Sequence, residues 1–250
     1  MQKNEIRILF EDEHFAIAVK GIGDDPQSFF KNYFKEKQYA EAVNRLDKPV
    51  SGLVIIAFTK DVHTQFNILL KTGNIKKEYW AICKKNGSYE LNRKYCIENY
   101  ISFNTKIQKG FVRNKNKNTK KSLLHWELAG EGKNYYFLRV YPVTGRTHQI
   151  RIQLADLGMP IKGDIKYGFP RTEKTGGIRL HAYSLQFIHP ITKKNIECAA
   201  LPFFPDTLWS ECIKACSLGL MKDPLSALSM RNLYPEGYEA NPARSLEGAL

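Results

Sequence analysis

The sequence lacks the residue patterns that usually bind metals, nucleotides or cofactors. Its six histidines show no His-x-His or His-Glu-x-x-His spacing, and its five cysteines contain no Cys-x-x-Cys pair. It contains no Gly-x-Gly-x-x-Gly loop and no Walker-type loop. We therefore expect no metal site and no cofactor, and we interpret the odd number of cysteines as reduced thiols.

Long apolar runs are also missing. No stretch of about 18 apolar residues exists, and the first residues have no signal-peptide core. We therefore expect a soluble, cytoplasmic protein with no membrane partner. At 250 residues the chain is long enough for one substantial core.

Acidic residues are scarce relative to basic ones. The chain has 38 Lys and Arg against 25 Asp and Glu, a formal net charge of +13. Such an excess indicates a polyanionic partner, because each phosphate contact releases condensed counterions and adds affinity. Charge alone does not separate RNA from DNA or from an anionic membrane.

The hydrophobic pattern weakens near the carboxyl end. Beyond Ser217, three prolines and a glycine interrupt short and weakly apolar pieces. We expect one catalytic domain over residues 1–217 and a peripheral or partly disordered tail over residues 218–250. We expect the protein to be a monomer.

One stretch places charged residues at the entrance of a buried strand. Arg45-Leu46-Asp47 precedes a Pro49–Gly52 turn, and an apolar, β-branched run follows over residues 53–58. Taken alone, Asp47 is typical of a loop aspartate that caps a turn. Lys77-Glu78-Tyr79 begins a second predicted strand, in which Lys77 and Tyr79 share one face.

These segments resemble the motifs of the RluA-type pseudouridine synthases. Arg45-Leu46-Asp47 with its strand is similar to the catalytic motif, and Lys77-Glu78-Tyr79 is similar to the Lys-x-Tyr strand. Residues 143–152 resemble the Gly-Arg-Thr-His-Gln-Ile-Arg signature, and residues 161–168 resemble the segment that follows it. The resemblance covers roughly residues 5–208. It implies an α+β fold with a central mixed, largely antiparallel sheet and flanking helices.

The resemblance also implies a reaction and a set of roles. The family turns uridine in RNA into pseudouridine, and Asp47 matches its catalytic carboxylate. Asp47 would either attack C1′ or assist glycal formation, and the sequence leaves both routes open. Tyr79 matches the active-site tyrosine, which would stack on uracil or act as a base, and Arg151 matches the arginine that pairs with the aspartate. Arg45 would fill the space of the flipped uridine.

The signature segment predicts a helix from Thr147 to Gly158. Ile150, Leu154 and Leu157 form its buried stripe, which places Arg151 beside the core and not inside it. The planar fork of Arg151 is suited to hold Asp47 at two points. Further expected substrate-binding residues are Lys77, Arg146 and His148.

A basic segment follows the second motif. Residues 105–121 carry seven positive charges and no acidic residue. Such a run is usually a solvated face, but mutual repulsion favours contact with a phosphate backbone. We interpret it as a mobile RNA-gripping loop. Its cations are Lys106, Lys109, Arg113, Lys115, Lys117, Lys120 and Lys121.

Two positions depart from the family pattern. Asn44 stands where the family usually has His, and Val50 stands where Thr is more frequent. Neither change removes a catalytic group, so we expect altered support of the motif or an altered RNA preference, and not inactivity.

Two other classes of protein compete with an RNA-modifying isomerase. A non-catalytic RNA-binding or ribosome-assembly factor would keep the basic surface, but it would not need Asp47, Tyr79 and Arg151 together. A zinc-dependent base deaminase needs a His or Cys cluster with a Glu, which the sequence lacks. Whether the RNA is ribosomal or transfer RNA stays open at this point.

Overall fold

The computed structural model describes residues 7–23, 25–203 and 205–220. The tail predicted over residues 218–250 therefore falls almost entirely outside the described residues. Eleven strands and four helices follow one another in this part of the chain. In order they are β1 Arg7–Glu11, β2 Phe15–Lys20, α1 Pro26–Tyr33, β3 Glu41–Ala42, β4 Ser51–Ala57, α2 Lys60–Lys71, β5 Lys76–Lys84, β6 Lys94–Asn104, β7 Lys109–Arg113, β8 Lys120–Glu131, β9 Tyr135–Pro142, α3 Gln149–Asp156, β10 Leu180–Ile188, β11 Asn195–Ala199 and α4 Thr207–Leu220.

The strands form one sheet in the order β1-β2-β4-β10-β5-β9-β8-β6-β7, with β3 paired to β4 and β11 to β10. Among the described strands only β4 and β10 run parallel; every other neighbouring pair is antiparallel. The predicted α+β fold with a mixed, largely antiparallel sheet is therefore confirmed.

The motif strand β4 lies in the interior of the sheet and is buried along its whole length. Val54 and Ile56 point to the face that carries α3, and Leu53 and Ile55 point to the face that carries α2. A strand buried on both faces reads as a continuous apolar run, which is the pattern in this sequence. The strand therefore gives the preceding turn a rigid base.

Gly52 allows β4 and β10 to approach closely. Its φ is +122°, and a Cβ at this position would lie 2.3 Å from the carbonyl oxygen of Ala182. Beside it, Ser51 Oγ donates a hydrogen bond to Nδ1 of the buried His181, and His181 Nε2 donates to the carbonyl of Ala200. Burial lowers the pKa of His181 to about 4, so the ring is neutral in this role.

The basic segment is not the loop that the sequence suggests. Residues 109–113 form strand β7, which pairs with β6, and Lys120 and Lys121 begin β8. Two short turns carry the remaining cations. The regular backbone of β7 follows from its pairing with β6 and from its packing on α3, where Gly110 leaves room for Ile152.

Several smaller expectations need correction. Tyr33 is exposed, although its helical spacing with Phe30 and Phe34 predicts core packing. The sequence also predicts a final helix that Asp206 caps and that ends near Cys216, but this helix continues to Leu220.

The five cysteines are free thiols. No helix of the described residues is long and apolar enough to cross a membrane.

Candidate active site

A buried lysine, Lys20, stabilises the turn that carries Asp47. The backbone N–H of Val50 donates to the carbonyl of Asp47 at 2.9 Å, which closes the turn around Pro49. Lys20 is fully buried, and its ammonium donates to the carbonyls of Lys48 at 3.2 Å and Val50 at 2.7 Å. Gly23 N–H donates to the same Lys48 carbonyl. The turn is therefore fixed by a side-chain contact from the end of β2 and a backbone contact from the segment that follows it.

Asn44 fastens the motif to the edge of β4. Its side-chain amide donates to the carbonyl of Leu53 at 3.1 Å, and its carbonyl oxygen accepts the N–H of Ile55 at 2.8 Å. This two-point contact continues the pairing that β3 makes with Ala57 and Ile56. The Asn44 side chain thus makes the two hydrogen bonds to β4 that a backbone partner would make. An amide can do this because it both donates and accepts, whereas the family usually has His at this position.

Arg151 joins two carboxylates, and its fork does not grip Asp47 as expected. Nε and Nη2 donate to the two oxygens of Asp164 at 2.7 and 2.9 Å, while Nη1 donates to Asp47 Oδ2 at 2.8 Å. The expected two-point contact with Asp47 is wrong, because the buried Asp164 takes the paired donors. Asp47 receives one charge-assisted hydrogen bond.

Helix α3 is buried around its whole circumference, so Arg151 lies inside the core and not beside it. Its side chain is 5% exposed. A guanidinium can be buried there because both carboxylates and the ring of Tyr167, 5.0 Å from its Cζ, surround it. The expectation of a cation outside the core is therefore wrong, and the cause is the additional partner Asp164.

His148 precedes α3 in a left-handed conformation, with φ at 56°. Its Nδ1 is 2.8 Å from the hydroxyl of Tyr167, and its Nε2 is 3.6 Å from Asp47 Oδ2. The Tyr167 hydroxyl also accepts the N–H of Gly110 in β7. Burial is the largest influence on His148 and lowers its pKa. A chain of polar contacts thus connects β7 with the catalytic carboxylate candidate.

Strand β5 supplies the opposite wall of the cleft. Lys77 and Tyr79 project from one face of β5 into the cleft, and Trp80 packs on the other face against Tyr183. Burial, and then the charge of Asp47, raises the pKa of Tyr79, so its hydroxyl stays protonated. Burial lowers the pKa of Lys77. The prediction that Lys77 and Tyr79 share one face of β5 is confirmed.

The cleft has a volume of about 480 Å³ and brings together seven of the residues singled out in the sequence. Arg45 and Arg146 are exposed at its edge, whereas Arg151 is buried. The seven residues are Arg45, Asp47, Lys77, Tyr79, Arg146, His148 and Arg151. A carboxylate, an aromatic hydroxyl and several cations therefore converge in one cavity.

The seven cations of residues 105–121 do not line this cleft. Lys109 and Arg113 flank the ring of Phe111 in β7, and Lys121 forms an ion pair with Glu98 at 2.8 Å. Lys115 and Lys117 lie in the turn after β7, and Lys106 lies in the turn before it. Lys120 begins β8. These residues form a basic surface on β6, β7 and β8, which are joined to the site through Gly110.

Sequence reasoning misses three residues of the site. It does not assign Lys20 to the site, and it includes Asp164 and Tyr167 only as members of the matching segment 161–168. Asp164 is 2% exposed, follows Gly163 in a tight turn and faces Arg151 from 13 residues away. The available signal is that Asp164 is the one acidic residue of the matching segment 161–168, where it lies between two lysines.

The described residues contain no group of three or more His, Cys, Asp or Glu side chains arranged to hold a metal ion. The arrangement instead offers a carboxylate on a rigid turn, ion-paired and partly exposed to a cavity. Such a group can act as a nucleophile or as a base.

The chain has clear relatives among known proteins. A family model described as RNA pseudouridylate synthase matches residues 22–156. An uncharacterized RNA pseudouridine synthase of Zymomonas mobilis is 31% identical over 206 residues, which cover 78% of this chain and 92% of that protein.

Two relatives with more informative names differ in length. The dual-specificity RNA pseudouridine synthase RluA of Pasteurella multocida is 29% identical over 79% of this chain and 93% of its own length. The ribosomal large subunit pseudouridine synthase C of Buchnera aphidicola is 30% identical over 76% of this chain, and the match spans 64% of that relative.

Among solved structures, human RNA pseudouridylate synthase domain containing 1 superposes with a TM-score of 0.64 at 21% identity, covering 84% of this chain and 87% of that one. Human RNA pseudouridylate synthase domain containing 4 gives a TM-score of 0.63 at 18% identity, over 84% of this chain and 92% of that one. At these identities the likeness concerns the fold.

Proposed function

Because this chain belongs to the RNA pseudouridine synthases of the RluA type, we propose that it isomerises specific uridines of ribosomal RNA with Asp47 as the catalytic carboxylate. One observation carries the choice of Asp47: its carboxylate stands on a turn fixed by Lys20, accepts a 2.8 Å hydrogen bond from Arg151 and lines the cleft with Tyr79. The preference for ribosomal RNA is supported by the names of relatives that act on the large ribosomal subunit.

The reaction breaks the bond between C1′ and N1 and joins C1′ to C5 of the same uracil. Asp47 would form a bond to C1′ as the base leaves, or would take the C2′ proton to give a glycal; both routes require an ionised carboxylate. Arg151 donates a charge-assisted hydrogen bond from Nη1 to Asp47 Oδ2 and so orients the carboxylate. Tyr79 would stack on the uracil ring while the base turns.

The uridine must leave its RNA stack to reach this cleft. Arg45, exposed at the cleft edge, would occupy the space that the flipped base leaves. Arg146 and His148 would bind the phosphates next to the target. The basic surface of β6, β7 and β8 would hold RNA farther from the site, since it carries six positive charges that lack a carboxylate partner within the described residues.

Asp47→Asn tests the catalytic assignment. A transcript of large-subunit ribosomal RNA carrying tritium at uridine C5 releases that label when C5 is joined to C1′. We expect parent activity and no release by Asp47→Asn, with RNA affinity and melting temperature close to those of the parent. Mass spectrometry of the variant controls for deamidation back to aspartate. Turnover by intact Asp47→Asn would refute the assignment.

A non-catalytic RNA-binding factor on the same fold is the alternative. Pseudouridine mapping in RNA from cells with and without the gene distinguishes the two. Loss of an isomerase leaves its target uridine unmodified, whereas loss of a non-catalytic factor does not. The same map identifies the uridine and decides between ribosomal and transfer RNA.

A further inference from the structure

Lys77 is a half-buried cation in the cleft that makes no ion pair and no hydrogen bond within the described residues. It lies two residues before Tyr79 on the same face of β5, and its ammonium is 4.0 Å from the position that a Cβ of Gly145 would take. Burial lowers the pKa of Lys77, with no neighbouring carboxylate to oppose that effect. The ammonium has thus lost part of its hydration and gains no ion pair or hydrogen bond in return within the described residues.

The fully buried cations in the described part of the chain all have hydrogen-bonding or charged partners. Arg151 has Asp47 and Asp164, Arg139 has Glu127, and Arg179 has Glu173 and Asp206. The ammonium of Lys20 donates to three backbone carbonyls. Because burying a charge without a partner is unfavourable, a lysine kept in this state indicates an anion that enters the cleft from outside.

Two anions come with an RNA substrate: the phosphates and the uracil released during the reaction. Arg45 and Arg146 are exposed at the cleft edge, where a backbone passes. Lys77 is less exposed than either and stands beside Tyr79, the residue proposed to stack on the base. Lys77 is therefore placed to contact the uracil base and not the phosphates of the RNA.

We propose that Lys77 is a catalytic residue that stabilises the uracil anion, an inference that rests on the proposed function. When the C1′–N1 bond breaks, its electron pair stays on N1, and the negative charge spreads over O2 and O4. The Lys77 ammonium donates to this charge without giving up its proton. C5 then bonds to C1′ as the bond between Asp47 and C1′ breaks or, on the glycal route, as C2′ takes its proton back from Asp47. The C5 proton is lost to solvent and N1 takes up a proton, so that the product is an isomer of the substrate.

Lys77→Met tests this role, with Lys76→Met as the matched control. Lys76 is the preceding residue of β5, carries the same charge and is exposed outside the cleft lining. The assay is single-turnover tritium release from the ribosomal transcript at saturating enzyme. We expect Lys77→Met to slow release roughly 100- to 1,000-fold, the usual loss for one group that stabilises developing charge. RNA affinity should change less than about twofold, because Lys77 interacts with charge that develops on the uracil during the reaction and not with a phosphate of the bound RNA.

The melting temperature separates this role from a structural one. Removing an uncompensated buried charge relieves a desolvation cost, so Lys77→Met should melt at the same temperature as the parent or higher. A residue that supports the fold would give the opposite result when removed. Lys76→Met should match the parent in rate, affinity and melting temperature.

The pH dependence gives an independent readout. The pKa of Lys77 is lowered, so the parent rate should fall on the alkaline side as the ammonium loses its proton. Lys77→Arg, whose guanidinium stays protonated, should keep its rate to higher pH. An identical alkaline limb in the parent and Lys77→Arg would contradict the proposal.

The remaining outcomes are also distinguishable. If Lys77→Met weakened RNA binding and lowered its salt dependence while the saturating rate was kept, Lys77 would be a phosphate contact and the proposal would be overturned. An active parent with an unimpaired Lys77→Met would overturn the role of Lys77 alone. A parent that releases no tritium, and leaves no pseudouridine in the cellular map, would overturn the proposed function together with it.

Discussion

Replacing Arg151 by lysine tests whether its guanidinium acts on Asp47. The guanidinium makes three charged hydrogen bonds, two with Asp164 and one with Asp47. A lysine ammonium is a compact charge on a flexible stem and does not reproduce a bidentate contact. Because Asp164 is the more buried carboxylate, the ammonium should stay with Asp164 and leave Asp47 without its partner.

The magnitude follows from the charged hydrogen bonds that lysine cannot make. A hydrogen bond to a charged group contributes about 1.5–3 kcal/mol. If the Nη1 hydrogen bond orients Asp47 in the transition state, its removal should slow the saturating rate by roughly 10- to 150-fold. One hydrogen bond to Asp164 is removed as well, at a similar cost to folding. A destabilisation of that size should lower the melting temperature by roughly 3–12 °C, at about 2–4 °C for each kcal/mol.

The assay is single-turnover tritium release at saturating enzyme, together with RNA affinity and melting temperature. Arg93→Lys is the matched control, because Arg93 is an exposed arginine paired with Glu90 at 2.6 Å and lies outside the cleft lining. It should behave like the parent in all three measurements. An unchanged saturating rate with weaker RNA binding in Arg151→Lys would mean that Arg151 contacts phosphate, and the reasoning about Asp47 would fail.

Two further predictions concern RNA binding and stability. Changing Lys106, Arg113, Lys115 and Lys117 to glutamine should flatten the salt dependence of RNA binding by roughly 0.7–0.9 in log–log slope for each phosphate that is no longer neutralised. The same change at the exposed Lys31, Lys60, Lys174 and Lys194 is the control, and equal slopes for both sets would identify the basic surface as solvated only. Burial raises the pKa of Glu78 from its ordinary 4.5 to about 7, so the native state holds a proton that the unfolded chain has lost. The free energy of unfolding of the parent should therefore fall as pH rises from about 4.5 to about 7, by about 1.4 kcal/mol for each pH unit at most. Relative to the parent, Glu78→Gln should gain roughly 2–3 kcal/mol between pH 4.5 and pH 8 in urea titrations, whereas the exposed Glu90→Gln should gain nothing. A Glu78→Gln difference that is equal at both pH values would contradict this linkage.

The sequence predicts those parts of the site that depend on local patterns of neighbouring residues. The buried motif strand, the two faces of β5 and the position of Asp47 before a proline turn follow from alternation and turn chemistry over a few positions. The prediction for the basic segment is wrong because its charges hide the alternation of β7, whose outward residues Lys109, Phe111 and Arg113 are not all polar. Its strand structure depends on pairing with β6, which local propensity does not report.

Asp164 and Lys20 could not be assigned for a different reason. Each is a charged residue that is buried only because of distant partners, Arg151 for one and the Lys48 and Val50 carbonyls for the other. Charged residues are ordinarily exposed, so a single sequence favours the wrong environment for both. Two carboxylates, Asp47 and Asp164, can pair with the Arg151 guanidinium. The tertiary structure places Asp164 at the paired donors Nε and Nη2 and Asp47 at Nη1.

The parallel pairing of β4 with β10 also determines when the strand behind the Asp47 turn becomes fully paired during synthesis. Ser51 and His181 are 130 residues apart in the chain, yet they are bonded next to the turn. On an emerging chain, β2 can pair with one edge of β4 early, and β3 and Asn44 can pair with the upper part of its other edge. That second edge stays unpaired at Ser51 and Gly52 until β10 is made. The region matched by the family model ends at residue 156, before β10. A fragment cut there would carry Asp47 beside an open strand edge, a template for pairing between chains. Slow, non-local closure is thus a folding cost of building the site at the centre of the sheet.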